Sequence, residues 1–237
     1  VRSRRQRQMC IRDRFNTFLL KKKKLNKNSQ ILDIGCGRGK IFGALSRKLK
    51  LINKPIGIDP VIHKDVDKSI DFRSDDVFKF FKSSQNKFDL IMIKQTLHFF
   101  NKDKRTRLIK ICKKNLKKNG VLVIFSLVTK NNEIPCFKLM KQKLNRGLER
   151  DSRMLTTTTK LLIDYQSDIF KFKVSMTKDK YIKMLQQRYI SCLVNLNKDQ
   201  ISNGIKEIKE LFSKKINFID KLISIRYSKK LSLIHIS

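Results

Sequence analysis

Three glycines at every second position, preceded by an acid, form the segment of this chain best suited to chemistry: Asp33-Ile34-Gly35-Cys36-Gly37-Arg38-Gly39-Lys40. Without a Cβ, glycine lets the backbone turn sharply and brings its N–H groups close to a ligand. A nucleoside-triphosphate loop ends in Gly-Lys-Ser/Thr, but Lys40 is followed by Ile41. A dinucleotide fingerprint sets its third glycine three residues after the second, and Gly39 follows Gly37 by two. Two further acidic positions lie downstream. Asp59 closes an apolar stretch 20 residues beyond Gly39, and the pair Asp75–Asp76 follows the next one.

Strands and helices must hold these side chains. Ile31–Ile34 reads as a short buried strand, and Ile41, Phe42, Leu45 and Leu49 follow helical spacing over 41–50. Pro55–Asp59, Ser69–Arg73 and Phe88–Ile93 read as three more strands. Phe15–Lys24 reads as the close of an N-terminal helix. Arg107–Leu116 is an amphipathic helix with Leu108, Ile111, Cys112 and Leu116 on one face, and Asn119–Gly120 is expected to be the turn that ends it. Val121–Leu127 carries no charge, as in a parallel strand buried on both sides. Strands alternating with helices imply right-handed βαβ units. Past Thr129, Ile134–Arg150, Lys178–Tyr189 and Asp199–Phe212 read as helices, with Ile169–Ser175 and Phe218–Tyr227 as strands. No repeat or linker interrupts the chain. One domain over 15–230 is therefore expected, with a ligand-binding core at 15–130 and insertions over the active face at 131–230.

The Asp-x-Gly-x-Gly-x-Gly loop, Asp59, Asp75–Asp76, Phe88-Asp89-Leu90-Ile91 and Leu116–Val121 (LKKNGV) stand in the order found in one family. The chain resembles class I (Rossmann-like) S-adenosylmethionine-dependent methyltransferases, firmly over Phe15–Leu127 and loosely beyond. The resemblance implies an α/β fold: a doubly wound, mostly parallel Rossmann-like sheet with helices on both faces and a helical substrate cap. It implies S-adenosylmethionine as cofactor. Asp33 would hold the cofactor's ammonium directly or through water. Gly35 and Gly37 would present main-chain donors to the methionine carboxylate, backed by the next helix, with Gly39 in the same bend and Cys36 as a small filler. Asp59 would fix the ribose, and Asp76, with Asp75 beside it, would take the adenine amine. Where the family usually has Pro-Gly or Gly-Gly, this chain has Asn119–Gly120, which still permits a tight turn.

Lys94-Gln95-Thr96-Leu97-His98-Phe99-Phe100 follows the fourth strand, at the end where ligands bind in such sheets. It resembles the Leu-His-aromatic segment of small-molecule methyltransferases of the trans-aconitate and ubiquinone-pathway type. The chain lacks the Asn/Asp-Pro-Pro-Tyr motif of amino-group nucleic-acid enzymes, and a cysteine where RNA cytosine-C5 enzymes carry their catalytic one. Gln95 could touch the cofactor, and His98 could be a base or a packed wall of the pocket. Arg188 could receive an acidic substrate with its fork of donors, or be a surface arginine paired with a neighbouring Glu. The expected activity is methyl transfer to a carboxylate or hydroxyl of a small metabolite. An RNA methyltransferase and a non-catalytic Rossmann-like binding module are the alternatives, and oligomeric state is not legible.

Composition frames this reading. The 237 residues are 40% hydrophobic and 32% charged, and no apolar run approaches the ~18–20 residues of a membrane span. Five cysteines without a CxxC pair point away from a disulfide framework or a zinc site, and toward the cytoplasm; no metal is expected. The formal net charge of +36 is the footprint of a nucleic-acid binder, or else the diffuse lysine enrichment of an AT-rich genome. Val1–Arg14, crowded with arginine in a lysine-rich chain, and Leu231–Ser237 resemble translated sequencing-adapter read-through. Residues 1–14 and 231–237 are therefore expected to be non-native. The rival for the head is a basic targeting or RNA-binding arm.

Overall fold

The computed structural model of the protein describes residues 4–229. The second stretch expected to be foreign lies outside the described residues, as do residues 1–3 of the first. From Arg4 a helix, α1 (Arg4–Lys22), runs unbroken past residue 14. It is held by aromatic packing: Phe15 and Phe18 lie 4.6 and 6.1 Å from the Phe125 ring and 5.3 and 5.4 Å from that of Phe170.

β1 (Ile31–Ile34) is buried at every position, including Asp33. α2 (Lys40–Leu49), β2 (Ile56–Ile58), β3 (Asp71–Arg73), α3 (Val77–Ser83) and β4 (Phe88–Lys94) follow. Then come α4 (Lys102–Lys114), β5 (Leu116–Leu127), α5 (Lys138–Thr159), β6 (Gln166–Thr177), α6 (Lys178–Gln186), α7 (Lys198–Leu211) and β7 (Lys215–Ser228). The seven strands form one sheet in the order β3-β2-β1-β4-β5-β7-β6. The β1–β2, β2–β3, β1–β4 and β4–β5 pairs are parallel, with Asp33 opposite Gly57 on one side and Met92 on the other. The strand order reverses at β1, between β2 and β4. In an open α/β sheet the carboxyl ends at such a reversal flank a ligand crevice. No helix among the described residues is long and apolar enough to cross a membrane.

The chain divides into two compact units. One comprises the segments up to Ser126, Thr156–Phe170 and from Ile223 on; the other comprises Leu127–Leu155 and Lys171–Leu222. The first holds the loop and acids described above. The second has its own core, in which Phe137, Met140, Tyr181, Leu185, Leu193, Ile208 and Ile216 are fully buried. Gly204, in the middle of α7, makes room for the Phe137 ring, which a Cβ there would meet at 2.5 Å. The Tyr181 hydroxyl donates to the Pro135 carbonyl and lies 3.0 Å from that of Tyr189.

Two local expectations are corrected and one element is added. Asn119–Gly120 is no helix-ending turn: α4 stops at Lys114, and Asn119–Gly120 lies inside β5. Phe88 pairs with Leu116 and Leu90 with Val121, so β5 bulges against β4, with Asn119 at φ +60°. The bulge is stitched by Asn119 N–H to Lys229 O and Lys229 N–H to Gly120 O. A Cβ at Gly120 would lie 2.7 Å from the Phe88 carbonyl oxygen. Second, α3 was not anticipated, because its seven residues (VFKFFKS) fit a strand as well as a helix. Third, α6 ends at Gln186, before Tyr189, and Arg188 reverses the chain at φ +48°.

Candidate active site

β1 delivers the chain into the glycine loop with Asp33 only 4% exposed. Its Oδ1 has no hydrogen-bond partner. Burial raises the Asp33 carboxyl from 3.8 to about 7, with the Lys94 charge pulling it down and Asp59 pushing it up. A buried carboxylate oxygen without a donor is costly unless a cation or donor completes it.

Gly35, Gly37 and Gly39 all have positive φ, at +74°, +52° and +63°. A Cβ at Gly35 would strike the Thr96 side chain at 2.1 Å, and one at Gly39 the Ile70 Cδ1 at 2.1 Å. At Gly37 a Cβ would meet nothing within 4 Å. Gly35 and Gly39 thus serve close packing, whereas Gly37 borders open space. The expectation that Gly35 and Gly37 offer free amides is corrected. Gly35 and Cys36 donate to the Ile58 carbonyl at 2.8 and 3.1 Å, Gly39 donates to that of Cys36, and Gly37 donates to Asp59 Oδ2 at 2.8 Å. The sheet edge and Asp59 claim these donors because the bend folds back on β2. Donors for an anion remain at the start of α2, whose N-cap is Gly39 and which has no side-chain cap.

Asp59 is the hinge of the arrangement. Oδ2 accepts from Gly37 and Oδ1 from Val61 N–H at 3.0 Å, so the carboxylate is fixed against the loop. It is half-buried and retains lone pairs for further donors. Asp76 is the N-cap of α3; its Oδ1 accepts from Phe78 and Lys79 N–H at 2.8 and 3.3 Å. Asp75 Oδ1 accepts from Asp76 N–H and lies 3.7 Å from Lys79 Nζ. Cys36 packs against β2, where its Sγ would meet a Cβ at Gly57 at 2.8 Å. Burial, reinforced by Asp33 and Asp59, pushes its thiol far up, so it is inert filler.

At the mouth of β4, Gln95 sits at φ +53° with its N–H on the Phe125 carbonyl and its Oε1 accepting from Lys94 Nζ at 3.0 Å. His98 lies on a short 3-10 turn (Leu97–Phe99), half-buried, its ring 4.1 Å from that of Phe99. Arg188 belongs to the second unit, where Nη2 donates to the Leu196 carbonyl at 2.8 Å. Among the described residues its expected Glu partner is replaced by that carbonyl. Two contributors escaped the sequence reading. Lys94, the one charge ending an apolar strand, was the legible signal for a partner to Asp33. Thr96, whose Oγ1 donates to the Lys94 carbonyl, walls Gly35 and carried no signal.

These residues fit an adenosyl amino acid. Asp33 Oδ1 lacks a hydrogen-bond donor, Gly37 faces open space, the α2 terminus favours an anion, and Asp59 binds the loop directly, so these groups suit the parts of one ligand. The fold and the site together define a Rossmann-like, S-adenosylmethionine-dependent class. Residues 1–155 match the family model described as "Methyltransferase domain", and the chain belongs to that family. No curated protein matches the chain in sequence. It is similar in fold to a methyltransferase from an antibiotic biosynthesis pathway of Anabaena variabilis (TM-score 0.59, 14% identity, covering 89% of this chain and 96% of that one). It is likewise similar to a SAM-dependent methyltransferase from Archaeoglobus fulgidus (TM-score 0.55, 17% identity, 93% and 94%). A phosphoethanolamine N-methyltransferase from Haemonchus contortus, bound to S-adenosylhomocysteine, has a TM-score of 0.50 at 13% identity, covering 91% of this chain and 52% of that one. The protein is a methyltransferase and its cofactor is S-adenosylmethionine.

Proposed function

We propose that the enzyme methylates a carboxylate or hydroxyl of a small metabolite, as the small-molecule methyltransferases it resembles do. The observation that carries the cofactor assignments is the orphaned Asp33 Oδ1 beside an Asp59 bonded to the loop. In this reading Asp33 takes the ammonium, the start of α2 the carboxylate and Asp59 the ribose. Asp76, with Asp75 beside it, takes the adenine amine; each has its Oδ1 engaged, Asp76 in capping α3 and Asp75 by the Asp76 amide. When bound, the cofactor supplies a methyl group already activated on a sulfonium. The chain's own task is to align the acceptor and exclude water. For a hydroxyl acceptor, His98 accepts the proton released from oxygen; for a carboxylate no base is needed and His98 is wall. Arg188 takes no part, since its guanidinium fastens the 188–196 loop. A small acceptor is favoured by the Leu97-His98-Phe99 mouth. It also agrees with similar folds whose names give small substrates, among them a precorrin-6y methyltransferase and a sarcosine dimethylglycine methyltransferase.

The test is transfer of a tritiated methyl group to a metabolite extract and to total RNA in parallel, with the product identified by mass. Label in the small-molecule fraction is expected; label confined to RNA overturns the acceptor class. In the same assay His98→Asn should lower turnover with a hydroxyl acceptor at least tenfold, and leave a carboxylate acceptor within about twofold.

A further inference from the structure

A cleft of about 500 Å³ opens between α3 and α4, apart from the glycine loop. From α3 it is lined by Phe78, Phe81 and Lys82, and from α4 by Arg107, Ile111 and Lys114, with Lys87 on the connecting segment. No acidic side chain lines it. Helical spacing produces this face, since 78, 81 and 82 share one side of α3 and 107, 111 and 114 one side of α4. Elsewhere in the same unit Arg38, Arg47, Arg73, Lys79 and Lys117 each form an ion pair with an aspartate. None of Lys82, Lys87, Arg107 and Lys114 enters an ion pair among the described residues. Arg107 is poised over the Phe78 ring, 4.9 Å from its centroid. Lys87 Nζ donates to the Lys114 carbonyl and to Asn115 Oδ1, which ties that wall together. Phe81 is half-buried beside exposed Lys82. Phe78 meets Phe100, two residues past His98, with ring centroids 6.0 Å apart. The cleft therefore starts next to the mouth of β4 and runs along α4 for about 10 Å from Arg107 to Lys114.

We infer that this cleft binds single-stranded RNA. Converging cations without a carboxylate suit consecutive phosphates, and an aromatic ring among them suits a stacked base. An acidic polypeptide would use the cations but gain nothing specific from Phe81. Binding here is independent of the acceptor assignment: RNA held in the cleft need not be methylated.

A positive chain binds RNA diffusely, so the test must be local. Binding of a labelled oligouridylate is measured against salt for the wild type and two charge-matched triples. The cleft triple is Lys82→Gln, Arg107→Gln and Lys114→Gln. The control triple is Lys48→Gln, Lys198→Gln and Lys206→Gln, all exposed residues. The cleft triple should weaken binding about tenfold or more near 0.1 M salt and reduce the log–log salt slope by about 2, at about 0.7 per phosphate contact. The control triple should lose less than threefold. Phe81→Ala should weaken binding about fivefold or more, through lost stacking. Equal losses in the two triples, or oligouridylate binding no tighter than inorganic polyphosphate of matched length and indifferent to Phe81→Ala, overturn the inference. Wild-type S-adenosylhomocysteine affinity and melting temperature in each variant exclude misfolding as the cause.

Discussion

At the scale of single residues the proposed cofactor site turns on Asp33 and Gly37. Asp33 carries a carboxyl raised to about 7, chiefly by burial, against 3.8 in the unfolded chain. Between those values the folded state holds a proton the unfolded state has released, so Asp33 costs stability increasingly as pH rises from about 4 to 7. Cofactor binding runs the other way. An ammonium at Oδ1 favours the carboxylate, so S-adenosylhomocysteine affinity should rise from pH 6 to 8, with uptake of the ligand releasing a proton. Calorimetry in buffers of different ionisation heat reads both, and Asp33→Asn should abolish the dependence. Asp59→Ala should weaken the same ligand by about 1–3 kcal/mol, as for lost charged hydrogen bonds; an unchanged Kd would place the ribose elsewhere. Gly37→Ala sets a methyl group into the open space at a left-handed φ, costing about 1–2 kcal/mol of fold stability. Ligand affinity should fall well beyond what that strain explains. These residues were legible in the sequence as candidates, from their spacing and from the family they resemble. That the loop amides are spent on Ile58 and Asp59 was not, because only the bend's return onto β2 brings those acceptors near.

Elements show where local pattern and tertiary context part. Uncharged 121–127 and the helical period of 41–50 made β5 and α2 readable, since burial on both faces or on one stripe leaves a period in the sequence. The bulge at Asn119–Gly120 left no such trace: Asn-Gly serves a turn and a bulge equally, and pairing with Phe88 and Lys229 selects the bulge. The Arg47–Asp67 fork was equally invisible. Arg47 Nη1 and Nη2 reach Asp67 at 2.7 and 3.2 Å. Burial pushes the Asp67 carboxyl up, but Arg47 and the Ser69 amide outweigh it and hold the group below the usual range. Gly204 gives a test at this scale. Alanine gains about 1 kcal/mol in helix propensity, but its Cβ would fall 2.5 Å from a buried ring, and overpacking costs about 1–3 kcal/mol. Gly204→Ala should therefore lower the unfolding midpoint in urea; a rise would mean that Phe137 moves freely.

For the whole molecule, charge dominates. At +36 the chain repels itself, so raising salt from about 20 to 200 mM should raise the melting temperature as the screening length shortens. A flat response would mean that the cations are neutralised locally. By itself the sequence determined the alternation of strands and helices and the loop and its acids in order, because spacing along a chain survives without coordinates; the cofactor class followed from the family that this order resembles. Only the tertiary structure decided three things: which glycine faces open space, which acceptors take up the loop amides, and which of many lysines converge without a carboxylate between α3 and α4. Each depends on residues distant in sequence being brought within a few ångströms, and no local pattern records that.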